Sequence, residues 1–337
     1  PHAGRRTFLF MNQLAIVLPA WKPDFLQCAL ESVRVQTDQR FTLYIADDGG
    51  PDRIARICDD FDDLGLIYHR FDENLGNTSL TRHWDRSVAI STEPWIWLFG
   101  DDDEMHPECV AKFYEILGNL QPEVSVIRFN TDVIDEASEI RKCNPSHPQS
   151  ESASEFLFNR LLGHRKSYVT EYIFRRSTYS LRGGFPDYPA AWCADDAAWF
   201  SFAGNGPIRT IPEPRVRWRS SRINITGANR SCQTEKLEAG RRFLNFIEKE
   251  VEPGDSGHSA DEWSEARSIW FENQVRYLSP LTPSLIRAVI QANSPWNRPR
   301  IERAILAIIW TIKGHFREAR RWLTKAKTKR STKTPTC

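Results

Sequence analysis

Between residues 14 and 129 the sequence switches repeatedly between two hydrophobic periods, and that alternation leaves few folds open. Residues 14–18, 41–46, 65–69, 95–99 and 124–129 are short apolar runs of strand length. Residues 24–35, 53–61, 79–90 and 107–120 lie between them with helical spacing, as in Phe25, Cys28, Ala29, Ser32 and Val33. No hairpin spans a helix of that length, so each strand returns parallel to the one before. The pattern predicts an α/β fold, a mostly parallel sheet flanked by helices on both faces. Residues 131–152, with Pro145 and Pro148, read as a loop or hairpin, and 153–216 mix short helices and strands around a turn at Gly183-Gly184-Phe185-Pro186. From about residue 233 the chain reads as helical, with proline-marked breaks near 253, 280 and 295.

Open sheets of this kind bind ligands beyond the carboxyl ends of their strands. Those ends are acidic here: Asp47-Asp48-Gly49-Gly50, Asp72-Glu73-Asn74 and Asp101-Asp102-Asp103 follow the second, third and fourth strands. Helix N-caps favour Asp at such places, but three acidic loops on one edge point to a ligand. Three adjacent carboxylates repel one another, and a hard cation relieves that. Mg²⁺ or Mn²⁺ takes oxygen ligands, commonly one or two carboxylates plus substrate phosphates.

The order and separation of these pieces resemble the family 2 glycosyltransferases of the GT-A fold. Ile16-Val17-Leu18-Pro19-Ala20 matches the family's first strand, ending in Pro. Asp47-Asp48-Gly49-Gly50 matches its Asp-Asp-Gly-Ser pattern, and Asn74-Leu75-Gly76 its Asn-x-Gly. Asp103 and Pro107 keep the spacing of its acidic motif to a following Pro. The resemblance covers about a third of the chain, residues 14–120. It implies a GT-A (Rossmann-like) domain over 11–230, with a nucleotide-sugar half (11–130) and an acceptor half (131–230). A helical extension (231–324) and a basic tail (325–337) would follow it, and residues 1–10 would be an upstream or appended segment.

By that resemblance Pro19 and Ala20 line the nucleoside pocket. Asp48, or else Asp47, binds the base, most naturally the N3–H of uracil or thymine. Asn74 and Arg82 belong to the donor site, Arg82 one position off the family's arginine. Asp101 lies near the ribose, and Asp102 and Asp103 hold Mn²⁺ or Mg²⁺ and through it the diphosphate. The sequence departs from the pattern at Trp21-Lys22, where the family has Tyr-Asn, and at Gly100, where the first Asp of Asp-x-Asp-Asp would fall.

Inverting displacement needs a base for the acceptor hydroxyl. Asp195-Asp196, at a helix start between Trp192 and Trp199, resembles the family's Glu-Asp pair, whose second member is the base. Asp196 is then the base, with Asp195 binding the acceptor or orienting the site. The two Asp also suit a helix N-terminus electrostatically. Many family members carry a metal-binding His after the next strand, but residues 165–257 contain none. Arg217 or Arg219 there would suit a diphosphate.

The net charge of +1 hides an asymmetry: residues 313–337 carry nine Lys or Arg and one Glu, leaving the rest acidic by about −7. Ile301, Ile305, Ile308, Ile312, Phe316, Ala319 and Leu323 form an apolar stripe at helical spacing. Such a helix either lies on an anionic membrane surface or docks by its stripe on the catalytic domain. The first option would suit a lipid-linked acceptor. The seven cysteines are scattered without zinc spacing and read as reduced thiols of a cytoplasmic protein, which the membrane option for the helix would place at the inner face of the plasma membrane. No dinucleotide, Walker A or hydrolase motif occurs, and nothing beyond the basic tail suggests nucleic acid. Two other readings stay open. A sugar nucleotidyltransferase should carry a glycine-rich phosphate loop near the first strand, which residues 19–23 lack. A non-catalytic glycan-binding or scaffold member should have lost these carboxylates.

Overall fold

The computed structural model describes residues 12–222, 224, 232–252, 254, 256–291 and 299–331, with 291, 318 and 321–331 as backbone only. The upstream segment 1–10 and the tail beyond 331 lie outside the described residues. The chain divides into two compact units, Pro1–Gly227 and Ala228–Cys337.

The first unit opens with β1 (Leu14–Ala20), α1 (Leu26–Arg34), β2 (Phe41–Asp47), α2 (Arg53–Asp59), β3 (Ile67–Arg70), α3 (Leu80–Ala89), β4 (Trp95–Leu98) and α4 (Cys109–Leu117). These strands pair in parallel in the order β3-β2-β1-β4. β1 and β4 are buried on both faces, which is why their sequences are continuous apolar runs rather than alternating ones. One face packs Leu14, Ile16, Leu18, Trp95 and Trp97 against Leu30, Val33, Val110 and Phe113 of α1 and α4.

The second half is β5 (Val126–Ile134), β6 (Ile140–Cys143), β7 (Ser150–Ser152), α5 (Ala153–Leu161), β8 (Tyr172–Arg175), α6 (Arg176–Arg182), α7 (Ala194–Ala203) and β9 (Pro207–Arg219). Sequence order would seat the fifth strand beside β4, but β8 enters between β4 and β5, antiparallel to both. Such long-range insertion leaves no periodic trace in the sequence. The hairpin expected in 131–152 is β5–β6, and long β9 runs parallel to β5, so both end at the same edge as β4.

The second unit consists of α8 (Gln233–Glu250), α9 (Ala260–Leu278), α10 (Pro283–Gln291) and α11 (Arg300–Ser331). Its core includes Leu237, Phe243, Leu244, Trp263, Trp270 and Val275. Ser259 and Glu262 form a reciprocal capping box that fixes the start of α9. α11 packs on α9 and α10. It does so with Ala307 and Trp310 buried, and with Gly314 so close to Pro280 that an added Cβ would sit 2.6 Å from the Pro280 nitrogen. In the stripe read from the sequence either as a membrane-facing or as a docking face, Ile301, Ile305, Ile308, Ile312 and Phe316 are exposed. Among the described residues no helix is long and apolar enough to cross a membrane.

Candidate active site

Two acidic loops stand at the carboxyl edge of the parallel strands. After β2, Asp47 and Asp48 are both buried. Asp47 accepts the Gly50 N–H (2.7 Å) and the Tyr68 hydroxyl, and Arg70 lies 3.6 Å away. Asp48 accepts the N–H groups of Leu75 (3.0 Å) and Gly76 (2.8 Å) and is ion-paired with Arg86. His83 Nδ1 lies 3.1 Å from the same carboxylate; burial drives the His83 pKa down to about 4 despite that neighbour, so the ring is neutral at pH 7. A Cβ at residue 76 would fall 2.6 Å from Asp48 Oδ2, so a larger residue there would push that carboxylate off the loop N–H groups it accepts. Asn74 itself closes that loop by accepting the Asn77 N–H at 2.9 Å.

The arginine expected to serve this site, Arg82, is exposed and contributes its main-chain N–H to the Ser79 cap. Arg86, one turn further along α3, takes the place beside Asp48, donates to the Glu73 carbonyl at 2.6 Å and lies over the Phe71 ring. The signal available in the sequence was the four-residue spacing, which puts Arg82 and Arg86 on one side of the helix. Pro19 and Ala20 end β1 beside this loop, where the Ala20 carbonyl accepts the Asp48 N–H, and the next residue, Trp21, is 47% exposed.

The loop after β4 is built differently. Asp101 accepts the N–H groups of Trp21 (3.1 Å) and Lys22 (3.3 Å), tying this loop to the end of β1. Asp103 is buried and accepts the Arg219 N–H at 2.8 Å. Its carboxylate folds back over residue 100, where a Cβ would meet Oδ2 at 2.5 Å, so any larger residue there would have to displace that carboxylate. Asp102 is half-buried between them. β9 clamps the loop from the other side through paired main-chain bonds between Glu104 and Arg217 (3.0 and 2.8 Å). Arg219 is fully buried, and its guanidinium serves the carbonyls of Asp102 (2.7 Å) and Asp135 (2.6 Å), together with Glu104 and Ser138. It is committed to shaping the loop and is not available to a diphosphate. Arg217 is partly exposed and lies 3.5 Å from Glu104.

Burial, reinforced by Asp102, pushes Asp101 up to about 7. Asp103 is driven well above the ordinary carboxylate range by burial and by the Asp102 charge, and Asp102 is raised by burial although Lys22 and Arg219 pull it down. A loop whose carboxylates are all disfavoured as anions is suited to a divalent cation. Asp102 and Asp101 are the partly exposed members, while Asp103 points its acceptors into the fold. Among the described residues no group of three or more His, Cys, Asp or Glu side chains gathers to hold a metal.

A second carboxylate pair lies in the first turn of α7. Cys193 (φ 61°) turns the chain into the helix. Asp196 is buried and receives Arg160 Nε on both oxygens (3.2 and 3.0 Å). Asp195 is only partly buried, and burial together with the adjacent Asp196 pushes it up to about 8. Trp199 is fully buried and stacked on Tyr172, so it belongs to the core and offers no sugar platform; Trp192 is half-buried. Tyr168 is stacked on Trp218 with ring centroids 4.6 Å apart, and burial raises its pKa above the ordinary phenol value. Arg160 and Tyr168 were missed in the sequence, because neither sits in a motif.

A mixed, mostly parallel sheet in this strand order, with acidic loops at the carboxyl ends of its parallel strands and helices on its faces, is a fold of the GT-A type. Residues 16–170 match the family model described as Glycosyl transferase family 2. Among solved structures, S. aureus TarS 1–349 in complex with UDP-GlcNAc is similar with a TM-score of 0.62 at 12% identity, over 90% of this chain and 89% of that one. The mannosyltransferase PcManGT from Pyrobaculum calidifontis, in complex with GDP-Man and Mn²⁺, has a TM-score of 0.51 at 12% identity, over 89% and 87%. At that identity the structures speak for the fold. No curated protein matches the sequence. The match places residues 16–170, a little under half of the chain, with the family 2 glycosyltransferases.

Proposed function

We propose that this glycosyltransferase moves a sugar, with inversion, from a UDP- or dTDP-sugar to a hydroxyl of a glycan or lipid-linked acceptor in cell-surface polysaccharide synthesis. It would work in the cytoplasm at the inner face of the plasma membrane. The observation that carries the reading is the Asp101–Asp103 loop, which gathers carboxylates disfavoured as anions where a nucleoside diphosphate would lie. Asp102, with Asp101 beside it, would hold Mn²⁺ or Mg²⁺; when bound, the cation neutralises charge developing on the departing diphosphate. Arg217 is the remaining candidate for a direct diphosphate contact. Pro19, Ala20 and the exposed Trp21 would flank the nucleoside. Asp48 would act indirectly, by holding the loop at Asn74–Gly76, since its oxygens are buried and already used.

In the transfer step the acceptor oxygen gives its proton to a carboxylate and bonds to the anomeric carbon. The bond from that carbon to the phosphate oxygen breaks, and the nucleoside diphosphate leaves with the electron pair. Asp195 presents the reachable carboxylate for this proton, and its raised pKa suits a base. Asp196, the base favoured by motif position, is sealed by Arg160 and would instead orient Asp195.

Calorimetry with UDP, dTDP, GDP and CMP, each with and without Mn²⁺, tests the donor site on the wild type and on Asp102→Ala. Metal-dependent binding of UDP or dTDP that is lost in the variant is the expected result. A folded wild type that binds none of the four would remove the reading.

A further inference from the structure

α11 buries one apolar face and leaves a second one uncovered. Ala307, Trp310 and Gly314 fill the contact with α9 and α10. On another face, Ile301 (75% exposed), Ile305 (53%), Ile308 (48%), Ile312 (50%) and Phe316 (68%) stand in line at steps of three and four residues. At 1.5 Å per residue this stripe runs for roughly 22 Å. Scattered exposed isoleucines need no explanation, but a contiguous row of this length on a water-soluble surface marks an interaction site. Lys313 lies to one side of the stripe, and the segment from 313 onward carries nine Lys or Arg against one Glu.

We infer that α11 is an in-plane membrane anchor, laying its isoleucine stripe into the surface of an anionic bilayer. The inference deepens the reading of a lipid-linked acceptor by naming the surface that would bring the enzyme to it. The apolar row matches the acyl boundary, and the basic segment matches anionic headgroups, so one surface satisfies both. A second copy of the chain is a poorer occupant, because pairing the stripes would bring two strongly cationic segments together. The helix does not cross the bilayer: no described helix is long and apolar enough. The buried Ala307–Trp310–Gly314 face keeps α11 fixed to its own unit while the stripe faces the lipid.

The test is co-sedimentation of the full chain with vesicles of phosphatidylcholine alone or mixed equally with phosphatidylglycerol. The wild type should bind the mixed vesicles, weakly in high salt, and the double variant Ile305→Asp/Ile312→Asp should bind at least about tenfold less. Both positions are exposed, so the variant should keep its wild-type melting temperature. Three outcomes would overturn the inference: no binding to the mixed vesicles, binding that the double variant retains, or a wild-type dimer in sedimentation velocity that the double variant dissolves. UDP calorimetry on the same samples separates the two readings. Nucleotide binding without vesicle binding removes only the anchor, and the reverse removes only the transferase site.

Discussion

The loops after β2 and β4 look alike in the sequence, each a run of Asp at a strand end, yet the fold treats them oppositely. Asp47 and Asp48 are matched by Arg70, Arg86, Tyr68 and main-chain N–H groups. Asp101 and Asp103 receive main-chain N–H groups, while the Arg219 guanidinium beside the loop serves carbonyls and Glu104. A carboxylate satisfied by its own protein is a structural brace. One left disfavoured as an anion is stabilised by whatever cation arrives. Acidity at a strand end therefore does not identify a binding site; the balance of partners does.

The contrast breaks most visibly in activity. Asp102→Asn should lower transfer by on the order of 10²–10³ while leaving the melting temperature unchanged or higher, since a repelling charge is removed. Asp195→Asn should cost a similar factor through loss of the base. Steady-state kinetics beside a thermal melt reads both. A large loss of stability in Asp102→Asn would place this loop with the braces.

Asp48→Ala is the converse. Removing a buried partner of Arg86 and of two loop N–H groups should cost about 3 kcal/mol, read from the urea midpoint. A near-neutral result would mean that Asp48 is free to serve the nucleotide after all.

Ligand linkage is smaller. UDP with Mn²⁺ at about a hundredfold excess over Kd should stabilise the wild type by ~2.7 kcal/mol and leave Asp102→Asn almost unmoved. Stability should also fall as pH rises from about 4 toward 8. Asp101 (about 7) and Asp195 (about 8) hold protons in the native state that the unfolded chain has released, so unfolding releases protons across this window. Asp195→Asn should flatten the upper part of that slope in melts taken across pH. The smallest effect belongs to Arg82→Ala, expected within about 0.5 kcal/mol of wild type, whereas Arg86→Ala should resemble Asp48→Ala.

Much of the molecule can be read without coordinates. Hydrophobic period is a local property, so β1–β4, α1–α4 and the helical C-terminal region follow from spacing alone. The motif order along the strand ends follows as well, because a parallel crossover returns every strand to the same edge. Other features depend on residues far apart in the chain. β8 slips between β4 and β5, Arg160 reaches Asp196 from α5, and Arg219 crosses from β9 to the acidic loop. Arg86 displaces Arg82 by one helical turn, and α11 docks by Ala307 and Trp310 rather than by its isoleucines. Composition and spacing show which groups can be charged or apolar. Which carboxylate is paired and which apolar face is covered depends on long-range contacts, and only the tertiary structure decides those.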